Sequence, residues 1–200
     1  MIKRIFDVVC SSAGLLLLSP FFILIALVIK IDSKGPVFYR QERVGRGGRI
    51  FKIHKFRSMQ TEQPVDASQV TVAGDSRITR TGRYIRDWKL DELAQLIDVW
   101  WGTMSLVGPR PEVPKYVSAY PADLKDTVLS VKPGITDLAS IYFRNENDLL
   151  AGHADPDRAY REIILPKKLE LQAEYVRTRS LWLDLRLIYH TIRAIFQKKS

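Results

Sequence analysis

Val8-Val9-Cys10-Ser11-Ser12-Ala13-Gly14-Leu15-Leu16-Leu17-Leu18-Ser19-Pro20-Phe21-Phe22-Ile23-Leu24-Ile25-Ala26-Leu27-Val28-Ile29 runs for 22 residues without a formal charge. Lys3 and Arg4 precede it, and Lys30, Lys34 and Arg40 follow. A straight helix of this length covers roughly 33 Å at about 1.5 Å per residue, about one hydrocarbon thickness, so the run is long enough to enter a bilayer. Pro20 complicates it. The ring removes a backbone donor and clashes with the carbonyl one turn earlier, while the Ser19 hydroxyl can serve the freed groups. A kink or a reversal at Ser19-Pro20 follows. One kinked span therefore competes with a re-entrant helix hairpin that returns to the side it entered from. Basic flanks at both ends favour the hairpin, although a single span with its basic C-terminal flank inside also satisfies the charge rule. A cleavable signal peptide lacks its small-residue cleavage site, and the length of the run argues against a buried helix of a soluble protein.

The charge lies beside this run. The net charge is +9, and residues 1–60 hold eleven Lys and Arg against Asp7, Asp32 and Glu42, leaving +1 for the other 140 residues. Basic sequence next to an apolar anchor points to anionic headgroups, and no aromatic-interleaved basic sheet or recognition-helix pattern points to nucleic acid. Two hundred residues with 46% hydrophobic content support one globular unit. The single cysteine, Cys10, excludes an intramolecular disulfide and fits a reduced, cytosol-facing protein.

Beyond the membrane segment, Val37-Phe38-Tyr39-Arg40-Gln41 and Ile50-Phe51-Lys52-Ile53 flank Gly45-Arg46-Gly47-Gly48, the pattern of a small β-hairpin with a glycine turn. The glycines lack the strand-then-helix context of a nucleotide fingerprint. Lys55-Phe56-Arg57-Ser58-Met59 closes the basic stretch, either as a solvated or lipid-facing charge run or as groups that hold phosphate. Gln60 to Asp75 reads as a polar, mobile loop. Leu90, Leu93, Ile97 and Trp100 then recur as one buried helical face that ends at Gly102.

Asp91 and Glu92 fall in the first turn of that helix. The macrodipole, the free N–H groups, Arg86 and Lys89 are expected to keep Asp91 ionised, with a low pKa, although acidic residues also favour helix starts for purely structural reasons. Adjacent carboxylates leave a helix about 100° apart. They cannot oppose each other across a scissile bond, which excludes glycoside hydrolysis, but one can attack while the other holds a metal. Gly102-Thr103-Met104-Ser105-Leu106-Val107-Gly108-Pro109-Arg110-Pro111 follows. Its two prolines present the Arg110 guanidinium to an anion with little freedom left to lose.

Asp155-Pro156 suits an N-cap and first helical position, opening a helix from about Asp157 that Pro166 interrupts or restarts. Residues between Asn145 and Tyr160, including Asn145, Glu146, Asn147 and Asp148, form a polar stretch. Leu181, Leu185, Ile188, Ile192 and Ile195, with Trp182, Tyr189 and Phe196 and the basic Arg186, Arg193, Lys198 and Lys199, make an amphipathic helix that either lies on the membrane or closes the core. An exposed helix of this kind also leaves a homo-oligomer open. His54, His153 and His190 lack metal spacing and read as structural.

Four segments carry a family resemblance: Lys55-Phe56-Arg57-Ser58-Met59, Leu90-Asp91-Glu92-Leu93-Ala94-Gln95-Leu96, Met104-Ser105-Leu106-Val107-Gly108-Pro109-Arg110-Pro111 and Lys132-Pro133-Gly134-Ile135-Thr136. In this order they resemble the bacterial sugar transferase family, and the chain is similar to a small monotopic phosphoglycosyl transferase over essentially its whole length, without the extra spans of longer members. It departs from the family where Ala94 replaces a frequent proline, Lys89 a capping hydroxyl, Thr103 a usual acid and Asp137 a common glycine. Thr103 puts a metal role for its loop position in doubt.

The resemblance implies an α+β, mainly helical fold. Residues 1–33 would be a re-entrant membrane helix hairpin broken at Ser19-Pro20, and residues 34–200 a globular cytosolic catalytic domain with a small β-hairpin and amphipathic interfacial helices. It further implies transfer of a phosphosugar from a UDP-sugar to polyprenol phosphate at the inner leaflet of the bacterial cytoplasmic membrane; the sequence does not identify the sugar, for which a UDP-linked N-acetylated one is the expectation. Asp91 would be the nucleophile and Glu92 the Mg²⁺ ligand, possessing in addition a share in proton transfer. Pro109, Arg110 and Pro111 would grip the nucleotide end, with Lys55, Arg57 and Arg86 as further phosphate contacts. The alternative from another class is a non-enzymatic basic membrane-binding module, which would tolerate Asp91→Asn.

Overall fold

The computed structural model describes residues 1–60 and 75–197. Most of the loop expected over Gln60 to Asp75, together with Lys198 and Lys199, lies outside the described residues.

The apolar run forms α1 (Ile2–Asp32), the one described helix long and apolar enough to cross a membrane. It stays helical through Pro20, so the expected break into two helices is absent from the backbone. The local chemistry explains this. Pro20 deprives one carbonyl, that of Leu16, of its donor, and Ser19 Oγ donates to Leu16 O at 2.8 Å. Leu16, Leu17, Phe21, Ile23, Leu24, Leu27 and Val28 remain exposed along the helix, as a lipid-facing surface would be.

Both ends of α1 are bound to the rest of the protein. Near the start, Lys3 pairs with Asp184 at 2.5 Å, and Arg4 donates to Val99 O and Trp100 O at 2.6 and 2.9 Å. The buried Asp7 accepts from Ser105 Oγ and Leu106 N, each at 3.1 Å. At the far end, Asp32 accepts from Thr81 N and Oγ1 at 3.2 and 2.7 Å. In between, the Phe22 ring meets Phe56 edge-on at 5.2 Å.

The hairpin appears as expected. β1 (Phe38–Val44) pairs antiparallel with β2 (Ile50–Phe56), in register Phe38 to Phe56 and Val44 to Ile50. Gly47 and Gly48 take φ of 66° and 76° in the connecting turn, the left-handed region that favours glycine. After α2 (Arg80–Asp87), Lys89 adopts φ 55°, the one positive φ of a described non-glycine residue, and the chain turns sharply into a 3-10 segment, Leu90–Gln95, continued by α3 (Leu96–Trp101). Gly102 ends α3 at φ 90°.

The buried face of Leu90–Trp101 is the opposite of the one expected from periodicity. Asp91, Ala94, Gln95, Asp98 and Val99 are buried, whereas Leu90, Leu93 and Ile97 are half-buried and Trp100 is exposed. Asp98 on that polar side meets its partners inside: it accepts from His54 N and pairs with His54 Nδ1, both at 2.8 Å. The apolar side is left to α1, where the Leu96 side chain would lie 3.1 Å from a Cβ on Gly14.

β3 (Ser105–Val107) pairs in parallel with β4 (Gly134–Thr136), and α4 (Pro114–Val117) and α5 (Ala122–Leu129) connect them. Three short helices follow, α6 (Leu138–Tyr142), α7 (Glu146–Ala151) and α8 (Pro156–Ala159). Asp155 caps α8 by accepting from Arg158 N at 3.0 Å. A π-helical turn, Tyr160–Ile164, leads into α9 (Leu165–Thr178), so Pro166 restarts the helix after a widened turn that absorbs its missing donor.

The largest core unites Val113, Tyr116, Val117, Val128, Leu150, Tyr160, Ile164 and Leu169. Finally α10 (Leu181–Phe196) buries Asp184 and Leu187 against the domain and exposes Leu181, Trp182, Leu185, Tyr189 and Ile192. It thus closes the core with one face and keeps an apolar face free.

Candidate active site

Three separate elements converge on the carboxylate pair. The strained Lys89 turn and the 3-10 segment present Asp91 and Glu92, β2 brings Lys55, and the loop after β3 brings Arg110. The guanidinium of Arg110 forks onto Glu92, with Nη1 2.9 Å from Oε2 and Nη2 in contact with Oε1. Such planar two-point pairing is what a guanidinium offers and an ammonium does not. Lys55 Nζ lies 3.5 Å from the same Oε1. Arg110 Nη1 also donates to Ile135 O at 3.3 Å.

The loop that carries Arg110 is held between the two parallel strands. Ser105 N donates to Pro133 O at 2.8 Å, Gly108 N to Thr136 O at 3.0 Å and Gly134 N to Pro109 O at 3.0 Å. Glycine is required here by close approach, since a Cβ on Gly134 would lie 2.0 Å from Gly108 N. Arg43 donates to Pro111 O at 2.9 Å, so β1 also grips the loop. The Pro109–Pro111 segment lines a cleft shared with Val44, Gly45 and Tyr120.

Electrostatics separate the two carboxylates. Burial would raise Glu92, but Arg110 and Lys55 outweigh it and hold the carboxyl well below its ordinary range. Asp91 behaves in the opposite way. Its pKa is raised, first by burial and further by the Glu92 charge, against the pull of Lys55, Arg86 and Lys89. The expected low pKa of Asp91 is therefore corrected: desolvation outweighs the cations and the helix start. Asp91 Oδ1 is buried with no hydrogen-bond partner, a polar atom left available for a reacting group. Lys55 is itself lowered by burial, partly offset by Glu92.

The other expected site residues divide. Arg86 stands close enough to bias Asp91 and approaches Ser58 Oγ at 3.5 Å. Arg57 is elsewhere. Its guanidinium donates to Lys34 O, Ser33 O and Ile29 O at 2.5, 2.7 and 3.5 Å, so it closes the C-terminal end of α1 and is only 4% exposed.

A buried polar network behind the loop was not anticipated. Glu112 accepts from the Tyr160 hydroxyl, with Lys168 Nζ 3.6 Å and Arg43 3.8 Å away. Lys168 also pairs at 2.7 Å with Glu146, so that member of the polar stretch at 145–148 supports the interior, while the side chains of Asn147 and Asp148 lie outside the described residues. Asp137 and Gln172 complete the network beneath Arg110. The sequence signals among these were the polar stretch that holds Glu146 and the departure from glycine at Asp137.

Oxygen donors of this kind suit a hard cation such as Mg²⁺, which takes one or two carboxylates and completes its shell with water and substrate phosphates. Among the described residues no group of three His, Cys, Asp or Glu side chains is assembled. Glu92 is a carboxylate of the kind such an ion takes, and the buried, unpartnered Asp91 Oδ1 stands on the adjacent residue.

Comparison with known proteins gives the chain relatives. A family profile described as bacterial sugar transferase matches residues 1–198. The UDP-glucose:undecaprenyl-phosphate glucose-1-phosphate transferase of Klebsiella pneumoniae is 38% identical over 99% of this chain and 41% of its own length. The undecaprenyl-phosphate glucose phosphotransferase of Komagataeibacter xylinus is 40% identical over 99% of this chain and 36% of its own length. The exopolysaccharide production protein PSS of Rhizobium leguminosarum bv. phaseoli is 35% identical over 96% of this chain and 94% of its own length. The chain thus spans about two fifths of the first two relatives and nearly all of the third.

Proposed function

The chain belongs to the bacterial sugar transferase family, and from that membership and the site geometry we infer that it transfers a phosphosugar from a UDP-sugar to polyprenol phosphate, releasing UMP. The observation that carries the reading is the division of labour at the dyad. Asp91 keeps a buried, unpartnered oxygen, while Glu92 is held ionised between Arg110 and Lys55.

The chemistry proceeds in two displacements. An Asp91 carboxylate oxygen attacks the β-phosphorus of the donor, the bond from that phosphorus to the bridging oxygen breaks, and UMP leaves with that oxygen. A polyprenol phosphate oxygen then attacks the same phosphorus and frees the Asp91 carboxylate. Splitting the transfer gives each anionic partner a positioned step of its own. Arg110 and Lys55 meet the phosphate charge, and the rigid loop limits what Arg110 loses on binding. Mg²⁺ held by Glu92 would neutralise the diphosphate that otherwise repels an incoming carboxylate.

The membrane segment serves the same reaction. A helix that crossed the bilayer would carry one end away from the domain, yet Lys3, Arg4 and Asp7 at one end and Asp32 at the other are bonded to it. These contacts support a re-entrant α1 that bends within a continuous helix and returns to the face it entered. The exposed Trp100, Trp101, Trp182 and Tyr189 fit the headgroup layer. The domain then works at the cytoplasmic face of the inner membrane, where a lipid phosphate can meet a soluble nucleotide sugar.

The test is UMP release by protein in lipid nanodiscs with polyprenol phosphate, Mg²⁺ and a panel of UDP-sugars. One donor should yield UMP, and Asp91→Asn and chelator should each abolish it. UMP release that survives Asp91→Asn would refute the assigned nucleophile, and none from any donor with wild-type protein would refute the function.

A further inference from the structure

Arg110 lies between two prolines, so its N–H is the one backbone donor between Gly108 and Glu112. That donor is taken by a side chain. Asp137 Oδ2 accepts from Arg110 N at 3.0 Å and from Gln172 Nε2 at 3.0 Å, and Gln172 Nε2 also stands 3.4 Å from Arg110 O. Asp137 Oδ1 accepts from Ser140 N at 2.6 Å, which caps α6. Both side chains are essentially buried, Asp137 at 0% and Gln172 at 1% exposure.

We propose that Asp137 and Gln172 are positioning residues that clamp the main chain of Arg110 and thereby set its guanidinium for the diphosphate of the donor. The first half stands on geometry alone, and the second rests on the function proposed above. The N-cap of α6 and a side chain of α9 together engage both polar backbone groups of the residue, so the guanidinium that reaches Glu92 starts from a fixed main chain. A glycine at 137 would have no side chain with which to do this.

Asp137→Ser separates the clamp from the helix cap. Serine is a good N-cap, so α6 keeps its start, but its side chain is too short to serve Ser140 and Arg110 together. Gln172→Leu removes the other half at similar volume. Three readouts are taken on full-length protein in nanodiscs: amide hydrogen exchange at Arg110, UDP affinity by calorimetry, and KM against kcat for the UDP-sugar.

Both variants should speed exchange at Arg110 and weaken UDP binding by about tenfold, the scale of one buried hydrogen-bond arrangement. KM should rise by a similar factor while kcat changes less. The double variant should be no worse than the poorer single variant by more than about twofold, because the pair acts as a unit. Unchanged exchange and UDP affinity in Asp137→Ser would overturn the proposal, as would a loss of thermal stability with neither readout moved. Faster exchange in the variants of a wild-type protein that neither binds UDP nor releases UMP would keep the clamp and reject its purpose, together with the function.

Discussion

Arg110→Met removes the cation that forks onto Glu92 while keeping an unbranched side chain in place. Glu92 would then be left with Lys55 Nζ at 3.5 Å as its close cation. Two unit charges about 4 Å apart attract by roughly 4 kcal/mol at an effective dielectric of about 20. Breaking a buried pair by removing one partner costs about 3–5 kcal/mol, since the other charge is stranded. The Arg110 side chain is 26% exposed and the Glu92 side chain 16%, and Lys55 remains, so the net loss belongs below that range, at about 2–3 kcal/mol.

The sign with pH is defined. Arg110 and Lys55 depress the Glu92 carboxyl in the folded protein, so this stabilisation is present above the unfolded value of about 4.3 and is lost as pH falls through the folded one. The variant should therefore be least stable relative to wild type near neutrality, and the gap should narrow below about pH 4. Urea unfolding of both proteins across pH, under identical lipid conditions, measures it. Arg110→Met/Glu92→Gln should recover part of the loss, because the Glu92 charge is no longer stranded, although Lys55 then loses its Glu92 partner. A loss that is independent of pH, or a double variant as unstable as the sum of the singles, would refute the reasoning.

Two further outcomes follow from the site. Asp91 must be ionised to attack and its pKa is raised, so activity should fall with falling pH through a value above the usual aspartate range of about 3.9. Lys55→Met removes a cation that lowers Asp91, so the acid limb of kcat/KM should move to higher pH whatever the residual rate, and an unmoved limb would contradict the assignment. Gly134→Ala would place a Cβ 2.0 Å from Gly108 N and 2.5 Å from Gly108 O, forcing β3 and β4 apart. Its expected cost is about 3 kcal/mol or more, against less than about 0.5 kcal/mol for Gly152→Ala, where nothing lies within 4 Å, as denaturant midpoints will show.

The amino-acid sequence by itself determined what depends on near neighbours. The uncharged run predicted a membrane-length helical segment, though not its continuity through Pro20, and the Ser19 hydroxyl was placed to serve the carbonyl that Pro20 orphans, as it does. Glycines predicted the hairpin turn, and Asp155-Pro156 the start of α8. Asp91, Glu92 and Arg110 could be singled out as candidates because their motifs are contiguous, and the fold brings the three together.

Tertiary structure decided what depends on distant partners. The buried side of Leu90–Trp101 was misread from periodicity, because His54 on β2 supplies Asp98 with two bonds that reward burying the polar side. The direction of the Asp91 pKa was misread because local cations are visible in sequence and desolvation by packed neighbours is not. Arg57 looked like a phosphate ligand and instead closes the end of α1, some 25 residues earlier in the chain. Helix periodicity and caps act over a few residues, whereas burial is conferred by whatever segment arrives from elsewhere, so the site's members were readable one by one and their charge states only once assembled.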